Sequence, residues 1–171
     1  EGPGSYTGLR VGLSLAKGLC YGAGKPLIAV NTLAAIAQCA IDSLEQDCMN
    51  QSALFIPMID ARRMEVYSAV FAPDGSILEK TEAKVLDSSS YSQYMNQKVF
   101  FTGDGCAKFR ELLESEGRLG KNLAFIETEL KASGMRIAAS KAYADSDFKD
   151  VAYFEPFYLK DFVAGKPKKL L

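Results

Sequence analysis

The run Gly2-Pro-Gly-Ser-Tyr-Thr-Gly-Leu-Arg-Val-Gly12 constrains the fold more than any other stretch, because it couples a tight glycine turn to a long helix studded with small residues. Gly2 and Gly4, on either side of Pro3, permit backbone angles that residues with a Cβ avoid, and Ser5 or Thr7 is placed to cap the first free amides of a helix. Leu9, Val11, Leu13, Leu15, Ala16, Leu19 and Cys20 are too many for one narrow stripe, so this helix is expected to be buried around most of its circumference. Gly8, Gly12 and Ala16 recur at every fourth position, as do Ser14, Gly18 and Gly22, and form two low ridges where another backbone can approach. A glycine inside a soluble helix costs roughly 1 kcal/mol relative to alanine, so close packing within the fold or against a partner helix should compensate.

Beyond that helix the chain alternates helices with strands. Residues 22–26 close the first helix, 27–30 read as a short buried strand, and Asn31 or Thr32 caps a second helix. In that helix Leu33, Ile36, Ala37, Ala40, Ile41 and Leu44 share one face. Residues 53–60 and 64–71 read as strands, with Pro57 arguing for an edge position or an irregularity in the first. In the second, Met64, Val66 and Val70 face one way and Tyr67, Ala69 and Phe71 the other, so both faces are covered. Pro73-Asp-Gly75 supplies turn chemistry for an antiparallel hairpin with residues 77–86.

A short helix at 88–96, a buried strand at 99–102, a Gly103-Asp-Gly105 turn and a helix over 107–116 follow. A strand at 123–126 precedes a helix near 132–145. From Ala152 onward, Tyr153, Phe154, Phe157, Tyr158 and Phe162 lack regular periodicity and predict an extended segment docked on the body. A free end with Lys166, Lys168 and Lys169 comes last. The class is α/β with a mixed sheet.

A chain of 171 residues, 48% of them hydrophobic, has material for a sizeable core. Twenty Lys and Arg against 21 Asp and Glu leave a formal net charge of -1, so no global field attracts nucleic acid. No apolar run is long enough to span a bilayer, and no basic-then-apolar leader opens the chain. Cys20, Cys39, Cys48 and Cys106 form no C-x-x-C pair, which suits a reducing cytoplasm. The chain opens without Met inside a motif that should follow a strand, so further N-terminal structure is expected in the molecule it represents.

Histidine is absent, which removes the commonest neutral-pH acid/base and the commonest metal ligand together. The glycine turn reads either as a phosphate cradle of backbone amides or as a capped structural turn. It has neither the lysine and spacing of a P-loop nor a G-x-G-x-x-G pattern. Asp60-Ala-Arg62-Arg63 follows a strand, where carboxylates often hold a metal or substrate and where a salt-bridged turn is the simpler reading. Asp104 reads as a turn residue or helix cap. Ser5, Tyr6 and Thr7 offer hydroxyls with no histidine to activate them, leaving only a serine–lysine arrangement with Lys17. No catalytic, cofactor-binding or metal-ligating residue is assigned.

Gly2–Gly12 with Lys17-Gly18, Lys25-Pro-Leu-Ile-Ala-Val-Asn-Thr-Leu-Ala34, Asp60-Ala-Arg62, Glu65-Val-Tyr67 and Glu155-Pro-Phe-Tyr-Leu-Lys160 closely resemble the TsaB (YeaZ) family. These are bacterial partners in making threonylcarbamoyladenosine on tRNA, and the resemblance covers nearly the whole chain. It implies an actin-like, Hsp70-like ATPase (ribonuclease H-like) fold with mixed sheets and two subdomains. Residues 1–50 would be the remainder of an N-terminally incomplete first subdomain, and 51–171 the second with its C-terminal tail. It also implies a cytoplasmic, noncatalytic subunit that associates with a catalytic paralogue, TsaD, and an ATPase, TsaE, and meets tRNA only through that complex. There the paralogue transfers threonylcarbamoyl to the adenosine beside the anticodon.

In the catalytic paralogue the same turn, helix and strand lead to two metal-binding histidines four residues apart. The matching positions here are Thr32 and Ile36, which cannot replace imidazole ligands, so a glycoprotease-like metallopeptidase lacks a chemical footing. A stand-alone nucleotide-binding domain using the glycine turn is the other alternative. Weak or no binding is expected of it, since no carboxylate set for a divalent metal is visible. In the family, the helix after the glycine turn helps form the interface with the paralogue or with a second copy of itself. Carried over, Leu9, Arg10, Leu13, Ser14, Lys17 and Tyr21 are the partner-contact candidates.

Overall fold

The computed structural model describes residues 1–44 and 52–160. Its elements are α1 (Tyr6–Ala23), α2 (Thr32–Ser43), β1 (Leu54–Asp60), β2 (Glu65–Phe71), β3 (Ile77–Val85), β4 (Val99–Thr102), α3 (Cys106–Ser115), β5 (Leu123–Ile126) and α4 (Arg136–Ala144). The five strands form one sheet in the order β3-β2-β1-β4-β5. β1 pairs antiparallel with β2 and β2 with β3, whereas β1, β4 and β5 run parallel. Every predicted strand from residue 53 onward is present, because each is either a continuous apolar run or an alternation bounded by turn residues.

The inner strands β2, β1 and β4 are buried on both faces. Leu54, Ile56, Met58, Val66, Val70, Val99 and Phe101 pack with Cys106, Phe109 and Leu113 of α3. On the opposite face Phe55, Ala69, Phe71 and Phe100 pack with Leu33, Ala37, Ala40 and Ile41 of α2. The two faces of β2 divide as its alternation predicts. Helix α2 is held by Asn31, whose Oδ1 accepts from the amides of Leu33 (2.9 Å) and Ala34 (3.3 Å). Inside the first cluster the Tyr91 hydroxyl and Ser68 Oγ share a hydrogen bond of 2.5 Å, and burial pushes the Tyr91 pKa up.

Of the two readings of Pro57, the irregularity holds and the edge does not, since Pro57 lies in β1, the central strand. Its missing N–H is accommodated by a gap in the β1–β2 ladder, which passes from Phe55–Phe71 to Met58–Ser68. Three expectations fail. Residues 27–30 form no strand. Leu27 and Val30 are buried, but Leu27 makes one bridge to Lys149 and no ladder neighbour extends it.

The helix expected at 88–96 reduces to a 3-10 turn at Ser92–Tyr94. Asp87 Oδ1 collects the Ser89 amide and the Ser89 and Ser90 hydroxyls, which favours local turns, and Tyr91 adopts the left-handed region at φ 60°. The third failure is the largest, since α1 contains no buried residue. Cys48, Phe162 and the lysines at 166, 168 and 169 lie outside the described residues; Cys20, Cys39 and Cys106 are free thiols.

Candidate partner face and cleft

Helix α1 begins and ends by ordinary capping chemistry. Ser5 is its N-cap, with Oγ accepting from the Gly8 amide at 3.1 Å. Gly24 closes it in the left-handed conformation, and the Lys25 amide bonds back to the Cys20 carbonyl. One side of the helix carries the aromatic C-terminal segment. Lys17 Nζ donates to the Ala152 carbonyl (2.9 Å), Arg10 Nε donates to the Tyr158 hydroxyl (3.3 Å), and the Tyr6 and Tyr158 rings lie 5.1 Å apart. The docked segment expected from residue 152 onward is therefore present as far as Lys160.

The partner-contact candidates divide accordingly. Arg10, Leu13, Ser14 and Lys17 line a groove of about 310 Å3 closed by Phe154, Pro156 and Tyr158. Leu9 is half-buried against Gly2 and Gly4, and Tyr21 stands 83% exposed near the helix end. The other side of α1 is open. Val11, Leu15 and Leu19, at i, i+4 and i+8, are each 64% exposed, and nothing approaches Gly12, Gly18 or Gly22 within 4 Å among the described residues. At 100° per residue these side chains and Gly8, Gly12, Gly18 and Gly22 fall on one flank, an apolar ridge with glycine floors. Sequence reasoning counted these three residues as core; their spacing was visible, but what covers them was not.

A second feature lies where the glycine turn faces the carboxyl ends of β1 and β4. A cleft of about 780 Å3 is lined there by Ser5, Tyr6, Asp60, Arg62, Arg63 and Asp104, among others. Lys108 of α3 braces the loop that borders it. Its Nζ donates to Asp60 Oδ1 (2.7 Å), the Arg63 carbonyl (2.9 Å) and the Glu65 carbonyl (2.5 Å). Asp60 Oδ1 also accepts from the Arg62 amide at 2.6 Å, and these two contacts hold its carboxyl below the usual carboxylate range.

Asp104 Oδ1 accepts from the Asp60 amide at 3.0 Å and so ties the two strand ends together. Gly103, at φ 90°, allows that approach, since a Cβ there would collide with the Met58 carbonyl. The salt-bridged turn read from Asp60-Ala-Arg62-Arg63 is thus a bridge to Lys108, a residue that no motif singles out. The serine–lysine arrangement is not assembled. Twelve helical residues put Ser5 and Lys17 about 18 Å apart along the axis, and Lys17 is committed to Ala152. Among the described residues no group of three or more His, Cys, Asp or Glu side chains could hold a metal ion. Nor is any described helix long and apolar enough to cross a membrane.

The glycine turn, the two-sided mixed sheet and the cleft between them define a protein of the actin-like, ribonuclease H-like ATPase fold. A family model described as "TsaD: tRNA N6-adenosine threonylcarbamoyltransferase" matches residues 1–167. The tRNA threonylcarbamoyladenosine biosynthesis protein TsaB of Escherichia coli is 32% identical, over 97% of this chain and 71% of that protein. Its counterpart in Haemophilus influenzae is 30% identical, over 97% and 70%. YeaZ from Pseudomonas aeruginosa superposes with a TM-score of 0.65 at 24% identity, covering 92% of this chain and 71% of that one. The chain belongs to the TsaB (YeaZ) family, within the wider group that this family model describes.

Proposed function

We propose that this chain is a noncatalytic subunit that binds and activates the catalytic paralogue TsaD, with the ATPase TsaE in the same assembly. The assembly transfers threonylcarbamoyl to the adenosine beside the anticodon of tRNA. Membership of a family whose named relatives are tRNA threonylcarbamoyladenosine biosynthesis proteins supports the pathway. The observation that carries the subunit role is the open flank of α1. Val11, Leu15 and Leu19 cover a helix whose glycines leave room for a second backbone, a surface that water solvates poorly and a helical partner would bury.

Ser5, Lys17 and Asp60 are each engaged structurally, which fits chemistry performed on another protein. Arg10, Ser14 and Tyr21 border the open flank and serve as its polar rim in this reading, with residues 1–50 and 51–171 acting as two subdomains in the cytoplasm. Size-exclusion chromatography of the chain mixed with the paralogue tests the proposal. One peak at the summed mass is expected, and its loss in Leu15→Asp. Two separate peaks at micromolar concentration, or a peak at twice this chain's own mass that the paralogue leaves unchanged, would contradict it.

A further inference from the structure

We propose that residues 152–160 are a releasable strap that fixes the orientation of α1 on the body and holds its open flank in place for a partner. The consequence for a partner rests on the reading of that flank given above; the strap itself does not. Helix α1 needs such a device because little else holds it. Among the described residues it makes no extensive contact with another helix or strand, whereas α2 packs on the sheet and on residues 132–135. At 100° per residue, its half-buried Tyr6, Leu9, Leu13, Ala16, Lys17 and Cys20 form one face, opposite Val11, Leu15 and Leu19. Beyond its two ends, Gly2 bridges to Asn31 and Leu27 to Lys149, so contacts along its side decide how the helix is turned about the line between those anchors.

The strap supplies those side contacts and ties them to the sheet. Asp150 Oδ1 accepts from the amides of Ala152 (2.7 Å) and Tyr153 (2.9 Å) and so shapes the turn from which the strap leaves. The Ala152 carbonyl then accepts from Lys17 Nζ, and the Phe157 amide donates to the Glu1 carbonyl at 3.0 Å. The Tyr158 hydroxyl accepts from Arg10 Nε, with its ring against Tyr6. Lys17 lies in the second half of α1, and Arg10 and Tyr6 in the first, so the strap runs antiparallel to the helix. Two residues on, Lys160 pairs with Glu65 of β2. One end therefore grips the helix and the other the sheet.

The same segment is built to open. None of residues 151–160 is buried, and Tyr153 and Phe157 are 85% and 43% exposed. A groove of about 310 Å3 runs between it and α1, beside Phe154, Pro156 and Tyr158. Its grip is a short series of solvent-facing hydrogen bonds and one ion pair, which contribute little singly and open locally before a packed core does. With the strap closed, a partner meets a helix already in place, and less ordering entropy is lost on binding.

Hydrogen exchange of the free chain and of strap variants that leave α1 unaltered is the test. Tyr158→Ala and Asp150→Ala are each expected to speed exchange of the α1 amides roughly tenfold. Helix α2 and β1 should keep their rates, which also reports that the fold is intact. Tyr158→Phe, which keeps the ring on Tyr6 and loses the hydroxyl, should fall between. Lys160→Arg, which keeps a cation for Glu65, should stay near the parent chain while Lys160→Gln departs from it. In titration calorimetry the paralogue should bind Tyr158→Ala several-fold more weakly than the parent. Exchange of α1 that no strap variant changes, or that rises equally in α2 and β1, would overturn the proposal. Tighter paralogue binding by Tyr158→Ala would overturn it too, since the strap would then obstruct the partner. A parent chain that does not bind the paralogue would break the partner reading alone, because the exchange comparison is made without it.

Discussion

Helices α1 and α2 open the chain with comparable apolar content and opposite fates. Helix α2 buries Leu33, Ala35, Ile36, Ala37, Ala40 and Ile41, most of them against the sheet or under residues 132–135. Helix α1 buries none of its eighteen residues and leaves a continuous apolar flank in water. Apolar periodicity states that a face needs covering, and a five-stranded sheet supplies the cover for α2. For α1 the described residues supply the aromatic segment 152–160, on one side. The difference separates residues that the described fold covers from residues that it leaves open.

Substitutions of equal chemistry on the two helices should break that comparison if it is wrong. Leu33→Ala, at a fully buried position, is expected to cost about 2–5 kcal/mol in urea denaturation, the range for deleting a core leucine. Leu15→Ala should change stability by less than about 0.5 kcal/mol, as exposed positions do. Equal losses at the two sites would show that α1 is covered in the isolated chain.

A smaller effect with the opposite sign comes from the helix floor. Gly12→Ala replaces a poor helix former where no neighbour lies within 4 Å, so stability should rise by up to about 1 kcal/mol. The same methyl group should weaken partner binding in a pull-down, because it fills the space a second backbone would use. A destabilised variant would place another element against that ridge.

The smallest effect concerns the cleft. Asp60 is held below the usual carboxylate range by Lys108 and by the Arg62 amide, so its stabilisation is complete above the ordinary carboxylate pKa and is lost as pH falls through the lower folded value. With the carboxylate half-exposed, that contribution is below about 1 kcal/mol. Asp60→Asn should therefore remove a small difference in urea midpoint between pH 6 and pH 3 and leave the α1 variants unaffected. A pH dependence unchanged by Asp60→Asn would break the assigned link to Lys108.

Much of the sheet was legible from residues 53–126, since apolar runs and the Pro73-Asp-Gly75 turn act locally and leave few alternatives. The α2 face and its Asn31 cap were legible for the same reason. Pro57 left an edge and an irregularity both open, because a proline's ladder defect reads the same way until the neighbouring strand order is known. The strand expected at 27–30 failed because strand formation depends on a partner, and Leu27 finds only Lys149.

Around the sites, the capping role of Ser5 followed from its type and position, whereas the role of Lys108 did not. It reaches the Asp60–Glu65 loop across about 45 residues of sequence, and no spacing rule encodes a contact that the β1–β4–α3 arrangement creates. The open flank of α1 was hidden by the opposite problem. Its residues are apolar, and hydrophobicity alone does not say what covers an apolar face.

Hydrogen exchange across α1, with and without the catalytic paralogue, tests the central claim most directly. The account predicts that amides from residue 11 to residue 22 exchange faster than those of α2 in the free chain and slow at least tenfold when the paralogue is added. Slow exchange of α1 in the free chain, or unchanged exchange there while another surface becomes protected by the paralogue, would contradict it.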